Sequence, residues 1–230
     1  MFVSGGSEEY YMNLIADAMV PYLQSSGIQF TRNTKEMSAA SSITQSNSGN
    51  YDLHLAIHSN AAPEGQYGEY RGIDVYYAPG SPLSKAAANI FARNLKSIYP
   101  LPSEVRAIPT TTIGEVIRTK APAVFLELGY HDNTEDADWI KSNINNIAAN
   151  LVLSLTEYFG IPFVMPIAPR RGFVNISSGT LNLRSRPNTQ SRIIASMPNG
   201  APLTIVGQWR DWYVVNYRGQ VGYAASRYIR

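Results

Sequence analysis

The chain contains no cysteine among its 230 residues. It can therefore form no disulfide framework and carries no thiolate nucleophile or metal ligand, so a bound metal would depend on His, Asp, Glu or water. No stretch approaches the roughly 18 to 20 consecutive apolar residues of a membrane-spanning helix, and the first residues lack the basic start and apolar core of a signal peptide. The Gly5-Gly6-Ser7 run lacks the lysine of a phosphate-binding loop, which argues against nucleotide binding.

Acidic residues are nearly absent from the last part of the chain. From residue 166 onward there are nine Arg, no Lys and a single acid, Asp211, a net charge of +8, whereas the rest carries −6. Such a split predicts two modules, of which the basic one meets an anionic or polar polymer. An arginine-rich solvated surface accounts for the charge equally well. No nucleic-acid-binding module is visible, and the arginines alone are weak evidence for such a partner.

Helical and strand patterns alternate through the first part of the chain. Apolar residues recur at helical spacing after Ser7 and Ser81, and apolar strands end at His58 and Glu127. This alternation predicts an α/β domain over residues 1–163, with a mainly parallel, twisted sheet flanked by helices.

The pattern changes after a run of closely spaced prolines. These mark a stiff linker over residues 164–171. Residues 172–230 then contain short alternating strands separated by turn dipeptides such as Asn199-Gly200 and Arg218-Gly219. About sixty residues of this kind predict a small, closed, all-β barrel.

Three polar residues fall where a parallel sheet gathers its functional groups. His58 and Glu127 each end an apolar strand, and Glu9 lies in the first turn of the first helix. Imidazole and carboxylate groups suit zinc, and a second carboxylate beside a metal-bound water can serve as general base and then general acid. A structural histidine with helix-capping and salt-bridged glutamates would give the same pattern.

Three segments, in order, resemble the motifs of the zinc-dependent N-acetylmuramoyl-L-alanine amidases, which cleave bacterial cell wall: GSEEYYMNLIADAM, YDLHLAIHSNAAP and RTKAPAVFLELGYHDN. The resemblance covers roughly residues 5 to 160. It implies that Glu9, four residues before Asn13-Leu14, and His58 bind zinc, and that Glu127 is the catalytic acid and base. Asn60, in the same motif as His58, is a candidate substrate contact.

The family's first zinc histidine, carried by an Asp-x-Gly-His-Gly-type motif, has no counterpart before Glu9. The expectation is either that this first strand has been lost or that another ligand replaces it. His54 is expected to be a hydrogen-bonded core histidine, because four residues along a strand place it roughly 13 Å from His58. His131 is the candidate for a third ligand or a substrate contact, with a plain turn histidine as the alternative. Without a third ligand, zinc affinity should be weak.

Residues 172–230 resemble a bacterial SH3-like domain, a resemblance carried by the segments LNLRSRP, DWYVV and GQVGY. It implies a module that holds the chain on the cell wall, with peptidoglycan as the partner. Together the two resemblances predict a two-domain peptidoglycan hydrolase that cleaves the bond between N-acetylmuramic acid and L-alanine. It would act outside the cell, after phage-type release or with a leader missing from the start. The alternatives are a catalytically impaired wall-binding protein of the same fold and a zinc peptidase acting on the stem peptide.

Overall fold

The computed structural model describes residues 1–3 and 5–230 and divides into two units. The first comprises residues 1–18 and 32–158, and the second comprises residues 19–31 and 159–230. The sequence predicted domains that are continuous segments of the chain. In the structure, the second unit also includes residues 19–31.

A mixed sheet of four strands lies at the centre of the first unit, within its described residues. Strands β1 and β4 run parallel, as do β2 and β3, while β2 and β4 run antiparallel. The predicted α/β class with flanking helices is thus confirmed, and one antiparallel pairing makes the sheet mixed. In the spatial order β1-β4-β2-β3, the strands are β1 (His54–Asn60), β2 (Ile73–Tyr77), β3 (Val105–Pro109) and β4 (Ala123–Tyr130).

Helices begin where the sequence offers caps. The Ser81 hydroxyl accepts the Ser84 N–H at the start of α3, and Pro82 occupies its first turn, where a missing N–H costs nothing. Asn133 caps α5 in the same way through Asp136 N–H. None of the described helices is long and apolar enough to cross a membrane. The helices are α1 (Glu8–Ser25), α2 (Ala39–Ser48), α3 (Pro82–Lys96), α4 (Gly114–Ile117), α5 (Thr134–Ser142) and α6 (Ile144–Phe159), with a 3₁₀ turn at Pro102–Glu104.

The strand register places a row of polar residues across the sheet. His58 on β1 is opposite Glu127 on β4, Glu127 is opposite Asp74 on β2, and Asp74 is opposite Arg106 on β3. Residues directly opposite one another project from the same face, and neighbouring strands lie about 4.8 Å apart. One face of the sheet therefore brings an imidazole and two carboxylates together from segments distant in the sequence.

The second unit contains a fully antiparallel sheet in the order β5-β8-β9-β10-β6-β7. The all-β prediction for this part of the chain is confirmed. Two hairpins turn through Arg210 and Arg218, whose positive φ angles of 51° and 52° suit tight two-residue turns. The strands are β5 (Arg170–Phe173), β6 (Thr180–Arg184), β7 (Ile193–Pro198), β8 (Pro202–Trp209), β9 (Trp212–Tyr217) and β10 (Gln220–Ala225), followed by a 3₁₀ turn at Ser226–Tyr228.

Residues 19–31 pack inside the second unit. The Tyr223 hydroxyl donates to the Ser26 carbonyl at 2.7 Å, and a Cβ on Gly27, whose φ is +74°, would lie 2.8 Å from the Tyr223 ring. The Ser25 hydroxyl donates to the Val164 carbonyl at 2.5 Å, and Val164 N–H donates to the Ser26 hydroxyl at 3.0 Å. The start of the predicted linker is therefore held by buried hydrogen bonds.

Candidate active site

His58 lies between two carboxylates. Its Nδ1 is 3.0 Å from Glu8 Oε1, and its Nε2 is 3.6 Å from Glu115 Oε2. The ring stacks on Phe125 with centroids 4.4 Å apart, while 40% of the side chain stays exposed. Burial alone would lower the pKa of His58, but Glu115 and Glu8 outweigh it and raise the pKa to about 9. His58 is therefore an accessible cation at neutral pH.

Glu8, rather than Glu9, supplies the carboxylate beside His58. Its Oε1 also accepts the Ser59 N–H at 3.0 Å. Burial raises the pKa of Glu8, but the hydrogen bonds from His58 and Ser59 outweigh burial and leave the pKa lowered. Glu9 is exposed, and its backbone carbonyl accepts the Asn13 side-chain amide. Because consecutive helical residues point roughly 100° apart, only one of the two glutamates can face the sheet.

Glu127 lies next to His58 across the strand pair. Its Oε2 is buried and has no hydrogen-bond partner among the described residues. Burial raises the pKa of Glu127 to about 7; the carboxylates of Glu8 and Asp74 act in the same direction, and His58 acts against them. A carboxyl group with a pKa near 7 can both take and give a proton at neutral pH, as a general base and acid must.

Asp74 keeps the Glu127 side of the sheet negative. It is only 5% exposed, and its Oδ1 lies 3.1 Å from Arg106 Nη2. The Tyr76 hydroxyl donates to its other oxygen at 3.2 Å, and burial together with this carboxylate raises the pKa of Tyr76 to about 12. Asp74 is thus paired, and its remaining effect is to disfavour ionisation of Glu127.

Glu115 had no signal in the sequence motifs. Glu115 is on α4. Its Oε1 lies 3.5 Å from His54 Nε2, and its Oε2 lies 3.6 Å from His58 Nε2. Burial raises the pKa of Glu115, but His54 and His58 outweigh it and lower the pKa to about 2. His54 is largely buried, as expected for a core histidine, although its Nε2 makes no hydrogen bond within the described chain.

His131 and Asn60 hold the end of β1 rather than contacting His58, within the described residues. His131 Nδ1 lies 3.1 Å from the Ser59 hydroxyl and 3.2 Å from the Ser59 carbonyl, and the ring stacks on Phe2 at 5.6 Å. His131 N–H donates to the Asn60 carbonyl, and Asn60 Oδ1 accepts the Ala61 N–H. These contacts suit a turn-holding role, and a ligand or substrate role for either residue stays a prediction.

Two family models account for most of the chain. Residues 2–157 match the N-acetylmuramoyl-L-alanine amidase model, and residues 179–230 match the bacterial SH3 domain model. The chain belongs to the N-acetylmuramoyl-L-alanine amidase family. Amidases of this family are peptidoglycan hydrolases, and in this one the amidase region is followed by a bacterial SH3 domain.

Solved amidase structures share the fold of this amidase. An N-acetylmuramoyl-L-alanine amidase from Clostridium difficile 630 is 18% identical, with a TM-score of 0.60, over 68% of this chain and 86% of its own. The amidase AmiC2 of Nostoc punctiforme is 17% identical, with a TM-score of 0.60, over 69% and 88%. Ami1 from Mycobacterium smegmatis is 17% identical, with a TM-score of 0.60, over 69% and 80%. A search of the curated proteins found no match.

The residues that this amidase presents do not complete a zinc site. Catalytic zinc usually has three protein ligands and an open position for water, yet no group of three or more His, Asp or Glu in the described chain is arranged to hold a metal. Both nitrogens of His58 also face carboxylates. The geometry does not fit the metal that the sequence resemblance implies.

Proposed function

We propose that this chain hydrolyses the amide bond between the lactyl group of N-acetylmuramic acid and L-alanine in peptidoglycan, with Glu127 as the acid and base. The observation that carries the proposal is a buried Glu127 oxygen that has no hydrogen-bond partner among the described residues. It lies beside a cationic histidine, in a chain of the amidase family. A carboxyl group with a pKa of about 7 is matched to proton transfer at neutral pH.

The proposed reaction uses the residues of the site in fixed roles. The Glu127 carboxylate takes a proton from water as the water oxygen bonds to the amide carbon. The positive charge of His58 stabilises the negative charge that develops on the carbonyl oxygen. The protonated Glu127 then gives its proton to the departing L-alanine nitrogen as the C–N bond breaks, which regenerates the carboxylate. Glu8 keeps His58 cationic and oriented through the 3.0 Å contact at Nδ1.

The resemblance further implies zinc as a Lewis acid, with His58 and a helix glutamate as ligands. Of the two candidate glutamates, Glu8 is the one beside His58. Since the described residues lack a third ligand, no step is assigned to a metal.

The test of the proposed function is digestion of purified peptidoglycan by the full chain. We expect new amino groups to appear with time and mass spectrometry to identify them as N-terminal L-alanine on free stem peptides. New amino groups with the muramyl link intact would instead establish cleavage within the stem. Binding to the wall without any release would establish the catalytically impaired alternative.

We propose that this protein acts at the cell surface and that the arginines of its second unit bind the cell wall. This unit carries nine Arg and a single acid, Asp211. Five of the guanidinium groups lie 4.8 to 5.5 Å from the centre of an aromatic ring: those of Arg170, Arg171, Arg210, Arg218 and Arg227. In the same digestion, the fraction of protein that sediments with the wall should fall as salt screens these charges. Sedimentation that does not respond to salt would exclude the arginines as the anchor.

Exchanging each neighbouring glutamate for glutamine tests which one serves the site. Glu8→Gln should lower kcat/KM by about 10 to 100-fold, the effect of losing one hydrogen bond to a charged group. Glu9→Gln, a matched change on the exposed side of the same helical turn, should change it by less than about twofold, as surface substitutions generally do. Initial rates with both variants check this, with circular dichroism to confirm folding. A larger loss for Glu9→Gln would favour the motif spacing over the geometry.

A further inference from the structure

Glu115 bridges two histidines of one strand, and the proposed reaction gives it no role. Its Oε1 is 3.5 Å from His54 Nε2, and its Oε2 is 3.6 Å from His58 Nε2. The side chain is only 11% exposed. His54 and His58 are four residues apart on β1 and therefore project from the same face of the sheet, which lets one carboxylate lie against both rings.

Helix α4 is fixed over that face by its own packing. Val116, which follows Glu115, is 3% exposed and packs in one cluster with Ala56 and Phe125. Ala56 lies midway between the two histidines on β1, and the Phe125 ring stacks against the His58 ring. The Thr119 hydroxyl donates to the Glu115 carbonyl at 3.0 Å. The backbone that carries Glu115 is thus anchored against the residues that surround the histidines.

The two carboxylates beside His58 together define the orientation of its ring. Glu8 faces Nδ1 and Glu115 faces Nε2. A half-turn of the ring about the Cβ–Cγ bond would exchange each nitrogen for a carbon, so the ring would lose both contacts at once. The 3.6 Å separation from Glu115 is longer than a hydrogen bond, so this arm acts as an ion pair whose strength grows as solvent is excluded.

We propose that Glu115 is a positioning residue for His58: it holds the Nε2 edge so that the ring stays stacked on Phe125 with Nδ1 turned to Glu8. This inference rests on the proposed function, since it assigns Glu115 its effect through a histidine of that site. Glu115 touches no reacting atom. Its loss should therefore reduce the rate of the chemical step more than the affinity for the substrate.

The test compares wild type with Glu115→Gln in the full chain, at one fixed pH. Glutamine keeps the size of the side chain and removes its charge. We expect kcat on purified peptidoglycan to fall about 10 to 100-fold, with KM unchanged within about twofold. In NMR spectra, the contacts between His58 and Phe125 ring protons should weaken as the ring becomes mobile. Glu36→Gln, an exposed glutamate outside the site, is the control and should alter neither readout.

Retention of both kcat and the His58–Phe125 contacts in a folded Glu115→Gln protein would overturn the inference. If that variant fails to fold, Glu115→Asp replaces it, since aspartate keeps the charge on a shorter side chain. Loss of kcat and of the His58–Phe125 contacts in Glu115→Asp would support the inference, and retention of both would overturn it. The NMR contact separates this inference from the proposed function. A wild-type chain that releases no L-alanine refutes the function, while the effect of Glu115 on the His58 ring can still be measured.

Discussion

Replacing Glu127 with glutamine is expected to lower kcat on peptidoglycan by about 10² to 10⁴-fold, the usual contribution of general acid–base catalysis. Glutamine has the same shape but can neither take the proton from water nor return one to the leaving nitrogen. Binding to the wall should stay within about twofold of wild type, because removing a group needed only in the transition state leaves substrate affinity unchanged. Turnover by this variant comparable to wild type would remove Glu127 from the mechanism.

The pH dependence of the wild type should carry the signature of the same carboxyl group. Burial raises the pKa of Glu127 to about 7, and the reaction needs the ionised form, so kcat/KM should increase with pH and level off above about 7. A profile already flat between pH 5 and 8 would contradict this assignment.

Ionisation of Glu127 should also lower the free energy of unfolding. Its folded pKa is raised above that of the unfolded chain, so its stabilising contribution is complete below about 4.5 and is lost as the pH rises through about 7. Above pH 7, the free energy of unfolding of Glu127→Gln should therefore exceed that of wild type by up to about 3 kcal/mol. The variant should accordingly unfold at a higher denaturant concentration. Loss of activity with a gain of stability is expected of a residue kept for function.

Replacing Asp136 with alanine is expected to cost about 3 to 5 kcal/mol of folding free energy, the range for breaking a buried ion pair. Asp136 is fully buried. Its two oxygens accept Arg71 Nε at 3.1 Å, the Tyr99 hydroxyl at 2.6 Å, and the N–H groups of Gly72 and Tyr130 at 3.1 and 3.0 Å. Alanine would leave the Tyr99 hydroxyl and the two backbone N–H groups without this buried acceptor, and it would remove from the partly exposed Arg71 its nearer carboxylate.

The matched control for Asp136 is its neighbour Asp138. Both lie on α5, but Asp138 is exposed, so Asp138→Ala should change stability by less than about 0.5 kcal/mol. Urea unfolding followed by the helical circular dichroism signal gives both values. Equal midpoints for the two variants would show that the Asp136 hydrogen bonds contribute no net stability.

Much of the fold can be read from local pattern. Alternating strands and helices predicted the α/β unit, and short alternating strands with two-residue turns predicted the all-β unit. His58 and Glu127 could be chosen because each closes an apolar run in the sequence. In the structure the strands continue to Asn60 and Tyr130, and the two residues pair directly across β1 and β4. Periodicity is a local property of the chain, which is why it is legible before any tertiary contact is known.

At Glu8 and Glu9, motif spacing and helix geometry point to different residues. Motif spacing from Asn13 favours Glu9, whereas the side chain facing His58 belongs to Glu8. The apolar stripe of the helix indicates Glu8. The buried residues Met12, Ile15 and Met19 follow one another at spacings of three and four, and Glu8 lies four residues before Met12 on the same face. The rotation of a helix about its axis follows its buried stripe rather than the position of a motif.

Glu115 could not have been found in this way. The sequence by itself determined the α/β and all-β regions, the placement of His58 and Glu127 on strands of the sheet, and the absence of cysteine from any site. Only the tertiary structure decided that Glu8 and Glu115 lie on either side of one imidazole. That arrangement depends on the β1–β4 register and on the packing of Val116 against Ala56 and Phe125. The contact of Glu8 with His58 joins residues 50 positions apart, and the energy of such contacts comes from fit between surfaces that no local pattern encodes.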